Sequence, residues 1–238
     1  MSKKTEVKYA GAILDIVSRL TSINQSVSFK KNEDETKVTT CNKDTEGSIA
    51  YFVEAPIDYF KFEEDDCSMY NYAEFYSLYD VFEDAKLETD EYDLTVSEGS
   101  STINYRLTDA TQIKINFSKV KFSDPDVSFS MDSAFVAKIK KLCGADKINA
   151  EYIKFTVNGD GTLNYKLAHS KFPNTFDQTI DVEAHTDEEF TIILQKDSFN
   201  KIPVADYIVS LKESGTMEFK MEREDEISVK LYLADTED

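Results

Sequence analysis

The chain states one pattern twice, and this repetition constrains its fold more than any other feature. Helical spacing over residues 8–23 leads into Ile23-Asn24-Gln25-Ser26-Val27-Ser28-Phe29, and helical spacing over 130–144 leads into Ile148-Asn149-Ala150-Glu151-Tyr152-Ile153-Lys154-Phe155. Late in the first half comes the hairpin pattern Glu91-Tyr92-Asp93-Leu94-Thr95-Val96-Ser97, and late in the second comes Asp206-Tyr207-Ile208-Val209-Ser210-Leu211. The offsets, 125 from Ile23 to Ile148 and 115 from Glu91 to Asp206, predict one duplicated domain with a trimmed helix near residue 197. Amphipathic hairpins also look alike by composition alone, but the matching order of helix, strands, helix and hairpin favours duplication. The expected division is a first domain over 1–118, a connector over 119–128 and a second domain over 129–238. Ser123-Asp124-Pro125-Asp126 interrupts the pattern inside that connector.

Within the first helical stretch Ile13, Ile16, Val17, Leu20 and Ile23 define an apolar face, and in the second Phe135, Val136, Ile139, Leu142 and Cys143 do so, with Gly144 as stop signal. A third helix is expected over 72–85 from Phe75, Leu78, Tyr79 and Phe82, and a short fourth one from Asp197 to near Pro203. Strands are expected over 26–31, 37–41, 48–54, 92–97, 102–107, 112–118, 152–157, 162–168, 176–183, 190–194, 207–211, 217–221 and 227–233. Turn signals such as Asn158-Gly159-Asp160-Gly161 and Ser214-Gly215 join several of them as hairpins. Many strands and few, scattered helices give an α+β class with antiparallel sheets and exclude a doubly wound parallel sheet.

Of 238 residues, 46 are acidic and 27 basic, for a net charge of −19, while 41% are hydrophobic, including 16 Phe and 13 Tyr. That apolar content excludes wholesale disorder. No apolar run reaches the roughly 18 residues of a membrane span, and no membrane partner is expected. MSKKTEVKYAG has a basic start without an apolar stretch after it, which argues against a secretory signal. Cys41, Cys67 and Cys143 form neither a metal-ligand pattern nor a disulfide framework, consistent with a reduced cytoplasmic compartment.

Catalytic chemistry has little to work with. His169 and His185 have no nucleophile motif or second metal-ligand histidine beside them. Asn158–Gly161 has the look of a calcium loop but lacks the remaining ligands, so it reads as a hairpin turn. Glu63-Glu64-Asp65-Asp66 reads as a solvated acidic loop. No enzyme, metal or cofactor is expected, and a hydrolase with scattered carboxylates is disfavoured.

The positive charge is placed unevenly. Residues 132–147 hold Lys138, Lys140, Lys141 and Lys147 against two Asp, a local +2, and residues 8–22 hold Lys8 and Arg19 against Asp15, a local +1. Residues 222–238 hold seven acids and two bases. The two equivalent helices are thus basic islands in an acidic chain, although a solvated helix face explains either one alone. With repulsion reaching about a Debye length, roughly 8 Å at physiological salt, such a surface gives weak, salt-sensitive attraction to phosphates.

A duplicated β-rich chain with one basic helix per repeat, ending in Lys230-Leu231-Tyr232-Leu233-Ala234 and an acidic tail, resembles the DNA polymerase sliding clamps. The trimeric phage-type clamp and proliferating cell nuclear antigen are the nearest in pattern. The resemblance covers nearly the whole chain, without a single diagnostic motif. It implies a duplicated two-domain clamp fold, with two helices per domain lining a ring and antiparallel sheets outside. Three chains would then encircle duplex DNA without sequence preference, tether a DNA polymerase and be loaded by a clamp-loader ATPase. The compartment implied is the cytoplasm of a virus-infected bacterial cell.

Carried over residue by residue, the resemblance puts Lys8, Arg19, Lys138, Lys140, Lys141 and Lys201 toward DNA. It puts a partner-peptide pocket at Ile49, Val120, Phe122, Tyr232, Leu233 and Ala234, although Ile49 and Phe122 are equally readable as core. It puts the subunit contact on segment 112–118 (Gln112, Lys114, Asn116) against segment 176–183 (Phe176, Gln178, Ile180) of the next chain; each is also readable as an interior strand. One departure stands out. The stretch 72–86 carries Glu74, Asp80, Glu83 and Asp84 against Lys86, acidic where this family is basic. The rival reading is a monomeric acidic β-rich interaction protein or DNA mimic.

Overall fold

The apolar spacing that predicts the first helix is realised as α1 (Ala10–Leu20), whose Ile13, Leu14, Ile16, Val17 and Leu20 are all buried. It is shorter than 8–23: the chain leaves the helix in a turn held by Ile23 N–H to the Leu20 carbonyl, at 2.9 Å. The computed structural model describes residues 5–7, 10–62, 64–113, 120, 122–146, 148–171, 173–184 and 188–235. The chain divides into two compact units. The first holds Met1–Thr45, Tyr51–Lys119 and Arg223–Val229, and the second holds Glu46–Ala50, Val120–Glu222 and Lys230–Asp238.

The first unit runs β1 (Thr5–Val7), α1, β2 (Val27–Lys31), β3 (Lys37–Lys43), β4 (Ile49–Pro56), β5 (Asp66–Met69), α2 (Tyr72–Tyr79), β6 (Lys86–Thr89), β7 (Asp93–Glu98) and β8 (Ser101–Arg106). One sheet has the order β1-β6-β7-β8, and a second run has the order β5-β2-β3-β4. Helix α1 packs on α2, and the Tyr72 hydroxyl donates to the Leu14 carbonyl at 2.9 Å. Phe29, Phe60, Tyr72 and Phe75 fill the space beneath, each fully buried. At roughly 1.5–3 kcal/mol per large apolar side chain, this cluster is a principal source of the unit's stability.

The second unit repeats the same sequence of elements: β9 (Val127–Met131), α3 (Ser133–Cys143), β10 (Tyr152–Val157), β11 (Thr162–Ala168), β12 (Phe176–Asp181), β13 (Glu183–Ala184), β14 (Phe190–Gln195), α4 (Lys196–Asn200), β15 (Tyr207–Lys212), β16 (Thr216–Met221) and β17 (Ser228–Ala234). Its runs are β9-β15-β16-β17, with β13 beside β9, and β14-β10-β11-β12. Apart from the extra β13, each run matches one of the first unit strand for strand. The duplication is therefore a property of the topology, and the class is α+β with antiparallel pairing.

The repeat alignment read from the sequence needs one correction. Topology equates β7 with β16, an offset of 123 from Asp93 to Thr216, and β6 with β15, an offset of 121 from Lys86 to Tyr207. The 115 offset slipped by one strand because β6, only four residues long with two of them charged, shows too little alternation to be seen.

Other differences have local causes. Helix α2 stops at Tyr79 rather than at 85, with Asp80 as its C-cap; an extension to 85 would put Glu83 and Asp84 into the last turn, where the helix dipole is already negative. Segment 112–118 does not open as a strand. The Asp109 carboxylate accepts from Thr111 N–H at 2.8 Å and caps a 3-10 turn, Ala110–Gln112; residues 114–118 lie outside the described residues. Segment 176–183 is two strands, not one: at Val182 the chain leaves β11 and Glu183 pairs with Ser128 of β9. Helix α3 begins after β9, which occupies residues 127–131 where the helix was expected to open.

Candidate nucleic-acid interface and partner pocket

Helix α3 starts where the Asp132 side chain accepts from Phe135 N–H at 2.7 Å, and its 3.6-residue period buries Val136, Ile139 and Cys143. Phe135 and Leu142 are only half-buried; the Phe135 ring meets Tyr165 edge-on, 5.0 Å between centroids. That register leaves Lys138 and Lys141, three residues apart, on the exposed face. Lys138 donates to Gln178 Oε1 at 3.0 Å and lies 5.2 Å from the Phe176 ring centre, so its neighbours are a neutral amide and an aromatic face. Lys141 is exposed.

Lys140 behaves differently from its expected role. Its ammonium donates to the Asn200 carbonyl at 2.9 Å and to the Ile202 carbonyl, closing the C-terminal end of α4. Half-burial lowers its pKa. Lys201 caps α4 and is half-buried. Lys196, which the sequence reading passed over, opens α4 and acts electrostatically on the Cys143 thiol in the last turn of α3. Its signal was available, a lysine five residues before Lys201 flanking a short helix, but a five-residue helix has too little periodicity to show its faces.

In the first unit the helix pair is built from other groups. The Arg19 guanidinium lies 2.8 Å from Asp15 Oδ2, and the Tyr76 hydroxyl donates to Asp15 Oδ1 at 3.3 Å. Glu74, Ser77 and Asp80 are exposed on α2. Asp84, expected on the same helical face, lies beyond the end of the helix. Lys8 lies outside the described residues.

The expected pocket residues all fall in the second unit, and the structure separates them. The Phe122 and Tyr232 rings are 6.2 Å apart and both half-buried. Val120 is 39% exposed. Ala234 is exposed and its N–H donates to the Ser48 carbonyl at 3.1 Å, beside Ile49. Ile49 and Leu233, by contrast, are fully buried and belong to the core, so they present no side-chain surface to a peptide. Burial, then a hydrogen bond to the Glu218 carboxylate, pushes the Tyr232 phenol well above its ordinary pKa; Lys230 Nζ lies 3.0 Å from Glu218 Oε2.

Among the described residues, strand β12 ends its run within the second unit, with β11 on one side only. Its alternate residues Phe176, Gln178 and Ile180 are half-buried and turn toward α3. Gln178 Oε1 accepts from Tyr165 as well as from Lys138, and Ile180 lines a groove of about 680 Å³ with Phe129, Phe135 and Val182. Of the expected counterpart, Gln112 is exposed in its 3-10 turn, and Lys114 and Asn116 lie outside the described residues.

No group of three or more His, Cys, Asp and Glu side chains among the described residues is placed to hold a metal ion. All three cysteines are buried, and burial pushes the Cys41 thiol up to about 12 and Cys143 up to about 11, far from a reactive thiolate. No helix among the described residues is long and apolar enough to cross a membrane.

No protein-family model matches the sequence, and no curated protein matches it. Solved structures do match. Proliferating cellular nuclear antigen (PCNA) from Entamoeba histolytica is similar with a TM-score of 0.76 at 15% identity, over 98% of each chain. PCNA from A. fulgidus, solved with the C-terminal region of FEN-1 bound, is similar with a TM-score of 0.72 at 15% identity, over 100% of this chain and 99% of that one. The H. pylori beta clamp is similar with a TM-score of 0.73 at 11% identity, over 98% of this chain and 66% of that one. The chain therefore has the sliding-clamp fold. At these identities the shared property is the fold, which the two strand-matched units and their helix pairs display directly.

Proposed function

We propose that the protein is a non-enzymatic processivity factor: a homotrimeric ring that encircles duplex DNA and tethers a DNA polymerase after loading by an ATPase. The observation that carries this reading is the clamp fold along the whole chain, with one helix pair in each of two equivalent units. Lys138, Lys141 and Lys201 would face the phosphates. Subunits would join by strand pairing along β12, the last strand of its run among the described residues, removing an edge that otherwise invites aggregation. The partner peptide would seat against Val120, Phe122, Tyr232 and Ala234, an aromatic-lined site suited to a short hydrophobic anchor. Three chains at −19 each carry −57, so enclosure rather than adhesion would keep the ring on its track.

Light scattering at micromolar concentration tests the assembly. The expected mass is three times 27.1 kDa, and a stable 27.1 kDa species would favour the rival reading of a monomeric acidic interaction protein. Retention after loading is expected on circular DNA and not on linear DNA; equal retention on both would overturn enclosure.

A further inference from the structure

The two helix pairs carry opposite charge although their folds are equivalent. Counting caps, α3 and α4 hold Lys138, Lys140, Lys141, Lys196 and Lys201 against Asp132 and Asp197, a net +3. On the same count α1 and α2 hold Arg19 against Asp15, Glu74 and Asp80, a net −2. The partners sharpen the contrast. Arg19 is offset by a carboxylate at 2.8 Å, whereas Lys138 and Lys140 meet only a neutral amide, an aromatic ring and carbonyl oxygens, so their charge is uncompensated at contact range. Just beyond α2, Glu83 and Asp84 are exposed and add two further carboxylates.

We infer that each chain touches the DNA backbone with only one of its two helix pairs, α3–α4, and that α1–α2 stands off from the phosphates. The inference rests on the clamp reading and narrows it: Arg19, which the family resemblance turns toward DNA, stays out of the contact set, and Lys196 joins it. A carboxylate about 4 Å from a phosphate costs about 1 kcal/mol even in water, and this falls off within a Debye length of roughly 8 Å. The acidic pair therefore gains nothing by approach, while the lysines of α3–α4 each release condensed counterions on contact.

The test measures the affinity of the full-length protein for a short linear duplex as a function of salt. Each lysine in contact contributes roughly one unit to the slope of log affinity against log salt. For each chain that touches the duplex, Lys138→Gln with Lys141→Gln is expected to lower the slope by about two units and Lys196→Gln by about one. Arg19→Gln should leave the slope unchanged. Glu74→Gln with Asp80→Asn should leave it unchanged too, with affinity equal to or above the parent's. A loss of slope for Arg19→Gln equal to that for a lysine, an unchanged slope for the lysine variants, or no measurable binding would each overturn the inference. Retention of the parent protein on circular against linear DNA, run in parallel, separates the two levels. Circle-specific retention with an Arg19 effect sinks the one-sided contact and spares the clamp. Equal retention with the lysine pattern intact sinks the clamp.

Discussion

The Tyr72 hydroxyl donates to the Leu14 carbonyl oxygen at 2.9 Å, a side-chain-to-backbone bond that ties α2 to α1 inside a fully buried aromatic cluster. The second unit makes the equivalent tie in the opposite direction, from Lys140 on α3 to the Asn200 carbonyl at the end of α4. The helices of each pair are short, eleven residues with eight in one unit and eleven with five in the other. Helices of this length hold together by packing and side-chain ties rather than by propensity.

Tyr72→Phe keeps the ring and removes the tie. The expected loss is about 1 kcal/mol, the net value of one hydrogen bond, whereas Tyr72→Ala should cost about 3–5 kcal/mol by emptying the cluster. Urea unfolding of the two variants checks the ratio. Equal losses would mean that the hydroxyl carries the contact.

Lys140 and Lys141 are neighbours with different work. Lys140→Met keeps the aliphatic stem but strands the Asn200 and Ile202 carbonyls, and should lower stability by about 1–2 kcal/mol. Lys141→Met, at an exposed position, should change stability by less than about 0.5 kcal/mol. Thermal unfolding of both separates the structural lysine from the surface one.

Gly215 sits at φ +86°, and a Cβ there would come within 2.8 Å of Asp235 Cβ. Asp235 in turn donates from its N–H to the Gly215 carbonyl at 2.6 Å and accepts from Ile193 N–H at 2.8 Å, pinning the end of β17. Gly215→Ala combines the left-handed backbone cost of about 1–2 kcal/mol with a steric clash. Gly47→Ala, at φ +76° with open space around it, carries the backbone cost alone. The first variant is expected to be the less stable by chemical denaturation, with faster hydrogen exchange in β17.

Val120 and Ile49 test the pocket from opposite sides. Val120→Asp places a charge at an exposed position, so stability should hold within about 0.5 kcal/mol; under the proposed clamp function, binding of a polymerase-derived peptide, followed by calorimetry, should be lost. Ile49→Ala removes a fully buried side chain and should cost about 2–5 kcal/mol of stability. Undiminished peptide binding by Val120→Asp would remove this face from the proposed partner site.

Strands that alternate cleanly were legible from sequence to the residue. Tyr152–Val157 and Thr162–Ala168 have alternating burial and are joined by a Gly-containing turn, so neighbouring residues carry the whole signal. Strands β1, β5 and β6 were not read, because three or four residues hold too few periods to stand above noise, and β9 overlaps the residues where the helix over 130–144 was expected to open. Missing β6 then shifted the repeat alignment by one strand. Among the site residues, the exposure of Lys138 and Lys141 followed from helix phase. The diversion of Lys140 did not, since its carbonyl partners lie 60 and 62 residues away.

The amino-acid order by itself determined the duplicated run of strands and helices, the buried faces of α1 and α3 and the strongly anionic character, because each is written in residues adjacent along the chain. Tertiary structure alone decided which strands pair, where segment 176–183 crosses from one sheet to the other, and which basic side chains keep their charge free. Those outcomes depend on contacts between residues far apart in sequence. A local period can place a side chain on a face, but only the packed fold supplies what it meets there.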